Sequence, residues 1–219
     1  CTPDYVIDPI TGVKSALAIV RSSAMRQAFI DMFTHTVKYL AGTPGIWAWA
    51  ILNEPWYWPR TPINNINQKE NFITLIQTLS NIVKKYDGRP TTIRFIDMGW
   101  TGNNMFVDDW GWDSRIFSCL SFISFNAYID PARIETWKQI TSTNMNGCVS
   151  RDKQVLITEF GYDSANDTEQ KYWYDQTISF YKTLPLYGWM AWMWNSETGT
   201  GDSFNLCKST DGTPRPAYY

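Results

Sequence analysis

Apolar residues recur along the chain with two kinds of spacing. Over residues 23–41, and again over 67–86, they fall on one side of a helix. Residues 46–52 are instead apolar without alternation, which is typical of a strand buried on both faces of a parallel sheet. The same criteria predict strands at 91–98, 119–128, 154–159 and 188–194, and helices from about 131 and over 167–184. The chain is therefore predicted to alternate between strands and helices.

Five predicted strands separated by helices indicate β/α units with right-handed crossovers. Such a series forms either a doubly wound sheet or a (β/α)8 barrel. Polar or aromatic residues follow successive strands: Asn53 and Glu54, Asp97 and Trp100, Asn126 and Tyr128, Glu159, and Trp194 and Asn195. This distribution favours a barrel, whose active site lies at the carboxyl ends of its strands. A doubly wound sheet would carry its site at one switch point, and no glycine-rich phosphate loop follows any predicted strand.

The chain has 219 residues, and only five of the eight strands of a barrel can be placed in it. Residues 1–11 resemble a loop that leads directly into a helix, and residues 211–219 resemble the start of another helix. We therefore expect an α/β fold in which residues 1–219 form a single catalytic (β/α)8-barrel domain, truncated at both ends and holding about strands 4 to 8. The missing part of the barrel would come from the parent polypeptide or from another chain.

Two of the predicted strands end in a glutamate. Glu54 follows the apolar run at 46–52 and Asn53, and Glu159 ends the strand at 154–159. A carboxylate held out of water is costly unless it is paired or hydrogen-bonded, so such strand ends suit chemistry better than packing. If both strands belong to one parallel sheet, the chain carries a two-carboxylate active site.

Charge and composition narrow the choice of partner. The net charge is −2, with 18% charged residues and no basic block, so the electrostatic footprint of a nucleic-acid or anionic-membrane protein is missing. No apolar run approaches the roughly 18 residues of a membrane span. One histidine and scattered cysteines form no zinc pattern. We expect a neutral or weakly charged substrate and neither a metal nor an organic cofactor.

Aromatic residues are unusually frequent, with 12 Trp, 12 Tyr and 11 Phe. Most are expected to fill the core. Several tryptophans, however, lie beside the glutamates or near predicted strand ends: Trp56, Trp58, Trp100, Trp192 and Trp194. Because a flat aromatic ring suits the apolar face of a sugar, these positions favour a carbohydrate ligand.

The four cysteines, Cys1, Cys119, Cys148 and Cys207, allow three disulfide pairings and dictate none. Cys119 lies in a predicted apolar strand, where it would be a small buried residue. Cys148 and Cys207 lie in segments rich in Gly, Ser and Asn, so in an oxidising compartment we expect these two to pair.

Four motifs resemble those of clan A glycoside hydrolases, and of family 5, the cellulases and mannanases, in particular. Residues 47–55, Trp-Ala-Trp-Ala-Ile-Leu-Asn-Glu-Pro, resemble the fourth-strand motif, and Thr-Glu-Phe-Gly at 158–161 resembles the seventh. Ser-Phe-Asn-Ala-Tyr at 124–128 is similar to the sixth strand and Trp-Met-Trp at 192–194 to the eighth. Residues 211–218 are similar to the segment that leads into the last barrel helix. The likeness covers nearly the whole chain.

The resemblance implies a retaining endo-β-glycosidase that cleaves β-1,4-glucan or β-mannan. It implies that Glu54 is the general acid/base and that Glu159 is the nucleophile. It further implies that Asn53 contacts the sugar 2-hydroxyl, that Tyr128 donates to the nucleophile, and that Trp194 forms the floor of the subsite of the cleaved sugar. These roles require different environments for the two carboxyls, because one must hold a proton while the other stays ionised.

Asn126 and Trp56 complete the predicted substrate-binding set. Asn126 stands where the family often has His, and the family's second-strand Arg and third-strand His would precede Cys1. Two alternatives therefore stay open: a catalytically impaired carbohydrate-binding barrel, and a (β/α)8 enzyme of other chemistry. We expect the protein to be exported.

Overall fold

The structure is a computed structural model that describes residues 18–55, 66–97, 113–193, 202–208 and 212–219. These residues belong to two compact units. The first contains residues 18–55, 66–95 and 113–122, and the second contains residues 96–97 and the described residues from 123 onward.

The first unit contains four helices and two parallel strands among its described residues. The helices are α1 (Ala18–Arg21), α2 (Ser23–Leu40), α3 (Ile66–Tyr86) and α4 (Ser114–Cys119). The strands are β1 (Trp49–Asn53) and β2 (Thr91–Asp97), and residues 91–95 of β2 belong to this unit. Trp49 pairs with Thr91, and Asn53 pairs with Arg94. Most of the predicted apolar face of α3 is buried, namely Phe72, Leu75, Ile76, Leu79 and Val83, while Ile82 and Tyr86 are half-buried.

The second unit is built on three parallel strands. They are β3 (Ile123–Ala127), β4 (Val155–Phe160) and β5 (Gly188–Ala191), with β4 between the other two. Helices α5 (Ile134–Val149) and α6 (Asp167–Tyr181) connect them, and short 3-10 turns occur at Pro131–Arg133, Asp202–Phe204 and Pro216–Tyr218. Every residue of β3 is buried, including the polar Ser124 and Asn126. No helix of the described residues is long and apolar enough to cross a bilayer.

The predicted strand at 119–128 starts too early. Strand β3 begins at Ile123, and Cys119 is the last residue of helix α4 instead. The side chain of Asp113 accepts from the backbone N–H of Arg115 and so caps this helix. Apolar residues around position 119 fit a helical turn as well as a strand, and a short apolar run cannot separate the two.

The expected pairing of Cys148 with Cys207 is wrong. Cys119, Cys148 and Cys207 are free thiols, and all three are buried. Cys148 lies within helix α5 rather than in a loop, and burial raises the pKa of its thiol to about 12. The three side chains act as small apolar core residues. Cys1 lies outside the described residues.

Asp87 connects the turn after α2 to the start of β1 in the first unit. The indole N–H of Trp49 donates to one carboxylate oxygen of Asp87 at 2.5 Å, and the backbone N–H of Gly42 donates to the other at 3.1 Å. Arg89 contacts the same carboxylate at 3.3 Å. These contacts lower the pKa of Asp87, and the hydrogen bond from the Trp49 indole contributes most. Its charged form therefore stabilises the start of β1.

Replacing Asp87 with Asn should lower the stability of the protein near neutral pH. Because the folded-state pKa of Asp87 lies below its unfolded value of about 3.9, this contribution is present above that value and is lost as the pH falls through the folded pKa. We expect the difference in urea midpoint between wild type and Asp87→Asn to narrow below about pH 4.

The matched control is Asp175→Asn, whose exposed carboxylate forms a surface pair with Lys171 at 3.4 Å. This variant should unfold like the wild type. A deficit of Asp87→Asn that is the same in acid and at neutral pH would contradict the assignment.

Candidate active site

Glu159 lies near the carboxyl end of β4, where it accepts a hydrogen bond from the residue that follows the neighbouring strand β3. The hydroxyl of Tyr128 donates to Oε2 of Glu159 at 2.7 Å. Tyr128 directly follows β3, and Asn126 of β3 pairs with Glu159 in the strand register. A hydroxyl that donates to a carboxyl group favours its ionised form and fixes its direction.

An aromatic cluster of Tyr128, Trp192 and Phe204 holds the phenol ring. The Tyr128 centroid lies 6.3 Å from Trp192 and 5.8 Å from Phe204, with interplanar angles of 84° and 79°. Trp192 and Phe204 are 5.2 Å apart at 69°. Edge-to-face contacts of this kind add to the burial energy and fix ring orientation. Phe204 belongs to none of the sequence motifs, so its contribution was not predicted.

Asn126 is fully buried and connects β3 to β4. Its side-chain oxygen accepts from the hydroxyl of Thr158 at 2.9 Å. Thr158 directly precedes Glu159, so this bond aligns the residue that carries the carboxylate. The structure thus shows Asn126 in a hydrogen bond between two strands, and a contact between Asn126 and a sugar stays a prediction.

Gly161 lies where the backbone of β4 meets the chain after β5. A Cβ at this position would overlap the carbonyl oxygen of Trp192 and approach Phe204 and Tyr174 to 3.2 Å. The backbone N–H of Trp192 donates to the oxygen of Phe160 at 2.7 Å, which keeps the two segments close. Only glycine permits this approach.

Gly161→Ala should therefore displace Trp192 and with it the ring packing on Tyr128. We expect a loss of about 1–3 kcal/mol in the free energy of unfolding, the usual cost of overpacking. Urea unfolding measures this loss. Gly188→Ala is the control, because a Cβ there meets only a Leu156 methyl group at ordinary contact distance, 3.4 Å. Wild-type stability of Gly161→Ala would show that the contact is not rigid.

Glu54 directly follows β1 in the first unit, and its backbone has the unusual φ of +44°. Its N–H donates to the oxygen of Arg94 on β2 at 2.8 Å. The left-handed conformation costs a residue with a side chain about 1–2 kcal/mol. Among the described non-glycine residues Asp152 shares this feature, at the turn after α5, where Asp is readily tolerated. A Glu in this conformation at a strand end is typical of a functional position.

The remaining predicted site residues divide into two groups. Asn53, the last residue of β1, is exposed and therefore accessible to a ligand. Trp56 and Trp194 lie outside the described residues, as do Trp58, Trp100 and Asn195. Within the described part of the chain, no group of three or more His, Cys, Asp or Glu side chains is placed to hold a metal ion.

A surface pocket of about 420 Å³ lies at the opposite end of β4. Its lining includes Val155, the first residue of that strand, together with Tyr187 and Leu186 before β5. In a parallel barrel the amino end of the strands serves stability and the carboxyl end serves chemistry. The pocket is therefore separate from Glu159 and Tyr128.

No family model matches the sequence, and no curated protein matches it. Solved structures do match. The chain superposes on a β-glucuronidase of Bacteroides uniformis with a TM-score of 0.67 and 13% identity, covering 88% of this chain and 25% of the other. The fold is that of a (β/α)8 barrel. The predicted fold class is confirmed.

Two further barrels of this kind are xylanases. The Xyn10B endo-1,4-β-D-xylanase of Clostridium thermocellum, solved in complex with xylohexaose, has a TM-score of 0.64 and 11% identity over 90% of this chain and 45% of its own. The Xyn10A xylanase of Cellvibrio japonicus has a TM-score of 0.64 and 16% identity over 90% and 69%. The chain thus spans a quarter of the glucuronidase and less than half of the first xylanase. Within this chain, Glu54 directly follows β1, Tyr128 directly follows β3, and Glu159 lies near the carboxyl end of β4.

Proposed function

We propose that the protein is a retaining glycoside hydrolase of clan A, most like family 5, that cleaves β-1,4-glucan or β-mannan. The observation that carries this proposal is the 2.7 Å hydrogen bond from Tyr128 to Glu159 at the carboxyl end of a barrel strand. It supports a carboxylate that is held ionised and oriented for attack. The barrel fold shared with a glucuronidase and with xylanases supports the same reaction class.

In the first step, the carboxylate of Glu159 attacks the anomeric carbon and forms a glycosyl ester. The bond from that carbon to the leaving oxygen breaks, and Glu54 gives its proton to this oxygen. Tyr128 keeps Glu159 deprotonated and correctly directed before attack. As the ester forms, the charge on Glu159 is lost and the hydrogen bond from Tyr128 weakens.

In the second step, Glu54 takes a proton from a water molecule, whose oxygen attacks the anomeric carbon. The ester bond breaks and Glu159 leaves as a carboxylate, so two inversions give net retention. The two carboxyl groups supply the nucleophile and the proton transfers, and the proposal therefore includes neither a metal nor an organic cofactor. Because the substrates are polymers, it also includes export.

A mechanism-based trap tests the proposal. An activated 2-deoxy-2-fluoro β-glucoside or β-mannoside slows the second step, so the ester accumulates and can be located by peptide mass spectrometry. We expect one adduct, on Glu159. A first-formed product of inverted configuration, observed by NMR, would overturn the retaining mechanism.

Substrate assays separate hydrolysis from binding alone. Soluble β-glucan, β-mannan, xylan and galactan should be compared by reducing-sugar release, with the largest rate expected on glucan or mannan. Binding of these polymers without hydrolysis, unchanged in Glu159→Ala, would instead show a carbohydrate-binding barrel. Comparable cleavage of xylan would overturn the substrate assignment only.

A further inference from the structure

A buried arginine near the end of the chain connects three segments of the second unit. Arg215 is 5% exposed, and its Nε donates to Oδ1 of Asp167 at 2.7 Å. One terminal nitrogen donates to the oxygen of Ser164 at 2.7 Å, and the other donates to the oxygens of Ser203 and Asn205, both at 3.1 Å. We name this set of contacts the guanidinium clamp. A buried guanidinium is costly unless it is paired and hydrogen-bonded, and here each of its three nitrogens donates.

The guanidinium clamp holds the backbone on both sides of Phe204. Gln170, fully buried on α6, donates to the same two carbonyls, that of Ser203 at 2.8 Å and that of Asn205 at 3.3 Å. The backbone N–H of Arg215 donates to Leu206, whose own N–H donates to Met193. The residue between the two held carbonyls therefore has little freedom to move.

Phe204 uses this fixed position to pack against the aromatic cluster. Its ring meets Tyr128 and Trp192 edge to face, with centroid distances of 5.8 Å and 5.2 Å. The hydroxyl of Tyr128 in turn donates to Glu159. Loss of the Phe204 ring would remove one of the rings that pack on the phenol, so that Tyr128 could rotate away from the carboxylate.

We propose that Arg215 and Phe204 are positioning residues that keep the Tyr128 hydroxyl on Glu159. The hydrogen bonds of Arg215 go to Asp167 and to backbone carbonyls on both sides of Phe204, so Arg215 acts through Phe204. Its charge is paired with Asp167 at 2.7 Å, so it acts by fixing geometry rather than through a long-range field. The catalytic consequence rests on the proposed function, while the effect on the hydrogen bond does not.

Three substitutions test whether Arg215 and Phe204 hold the Tyr128 hydroxyl on Glu159. Phe204→Leu removes the ring edge but keeps an apolar side chain, Arg215→Lys cannot reach four acceptors, and Tyr128→Phe removes the hydrogen bond itself. Because that bond favours the ionised form of Glu159, its loss raises the pKa of the nucleophile. We expect the acidic limb of the kcat/KM profile to shift to higher pH by about one unit in Tyr128→Phe. In Phe204→Leu and Arg215→Lys it should shift in the same direction by less.

Two comparisons separate positioning from general stability. Phe204→Tyr retains the ring and should retain the wild-type profile. Arg89→Lys changes an arginine of the first unit that donates to Asp87 and to the oxygen of Thr43, and should lower the urea midpoint without moving the acidic limb. If Phe204→Leu and Arg215→Lys only lower the urea midpoint and leave the limb in place, the proposal is wrong.

Crystal structures of the wild type and Phe204→Leu at one pH test the same point without activity. We expect the distance from the Tyr128 hydroxyl to Glu159 to lengthen beyond hydrogen-bonding range in the variant. A bond that persists overturns the positioning role even if the wild type is an active glycosidase. Conversely, a wild type without hydrolytic activity overturns the proposed function, while a lengthened distance still supports the positioning role.

Discussion

Replacement of Glu159 by glutamine is expected to lower kcat by at least about 10⁴-fold, the scale seen when an enzyme loses its nucleophile. The amide has nearly the same shape as the carboxylate, and its oxygen can still accept from Tyr128, so the fold should be preserved. It lacks the charge and the lone-pair reactivity needed to form the glycosyl ester. Rates on an aryl β-glycoside, together with urea unfolding, measure both quantities.

Glu169 provides a matched control for this substitution. It is also a glutamate of the second unit that accepts from a tyrosine, with the Tyr162 hydroxyl at 3.1 Å and the Ser164 hydroxyl at 2.8 Å. Because Glu169 lies in the first turn of helix α6 rather than at the end of a barrel strand, Glu169→Gln should keep nearly full activity. A second check uses Glu159→Gly with added azide, which should yield a glycosyl azide of inverted configuration. Near-normal turnover by Glu159→Gln would exclude Glu159 as the nucleophile.

Replacement of Glu54 by alanine is expected to give a loss of rate that depends on the leaving group. A sugar or alkyl alcohol needs a proton as it departs, and removal of a general acid costs such substrates about 10²–10⁴-fold. A dinitrophenolate departs without a proton, so its glycoside should form the ester at nearly the wild-type rate. Pre-steady-state release of dinitrophenol, compared with cleavage of an oligosaccharide, measures the difference.

Azide should also accelerate the second step in Glu54→Ala, because a small anion needs no general base. The control is Glu135→Ala on α5, whose 82% exposed side chain forms a surface pair with Lys138. This variant should behave as the wild type on both substrates. An equal loss on the dinitrophenyl glycoside and the oligosaccharide would show that Glu54 does not transfer the proton.

The sequence was sufficient to predict a strand at each candidate glutamate, although β1 begins at Trp49 rather than at residue 46. Strands β2 and β4 agree with their predicted ranges, 91–98 and 154–159, to within a residue. The start of β3 was not predictable in the same way, because α4 and β3 together form one apolar stretch from Ile116 to Phe125 with little punctuation.

The support around Tyr128 was beyond sequence reasoning for a different reason. Phe204 and Arg215 lie in a polar segment without helical or strand periodicity, and their partners are distant along the chain. The contacts depend on how the chain returns after β5, which no local pattern encodes. The left-handed backbone conformation of Glu54 could not be predicted either, because glutamate is not a residue type that signals this conformation.

The buried thiols have a practical consequence. Cys119, Cys148 and Cys207 form no cross-link, so a reducing buffer removes no covalent constraint from the folded state at these positions. A thiolate is the form that reacts with alkylating reagents, and burial both shields these sulfurs and holds the pKa of Cys148 near 12. Alkylation at these three positions therefore requires the core to open. The rate of labelling, followed site by site by mass spectrometry, reports how often each part of the core becomes exposed under native conditions.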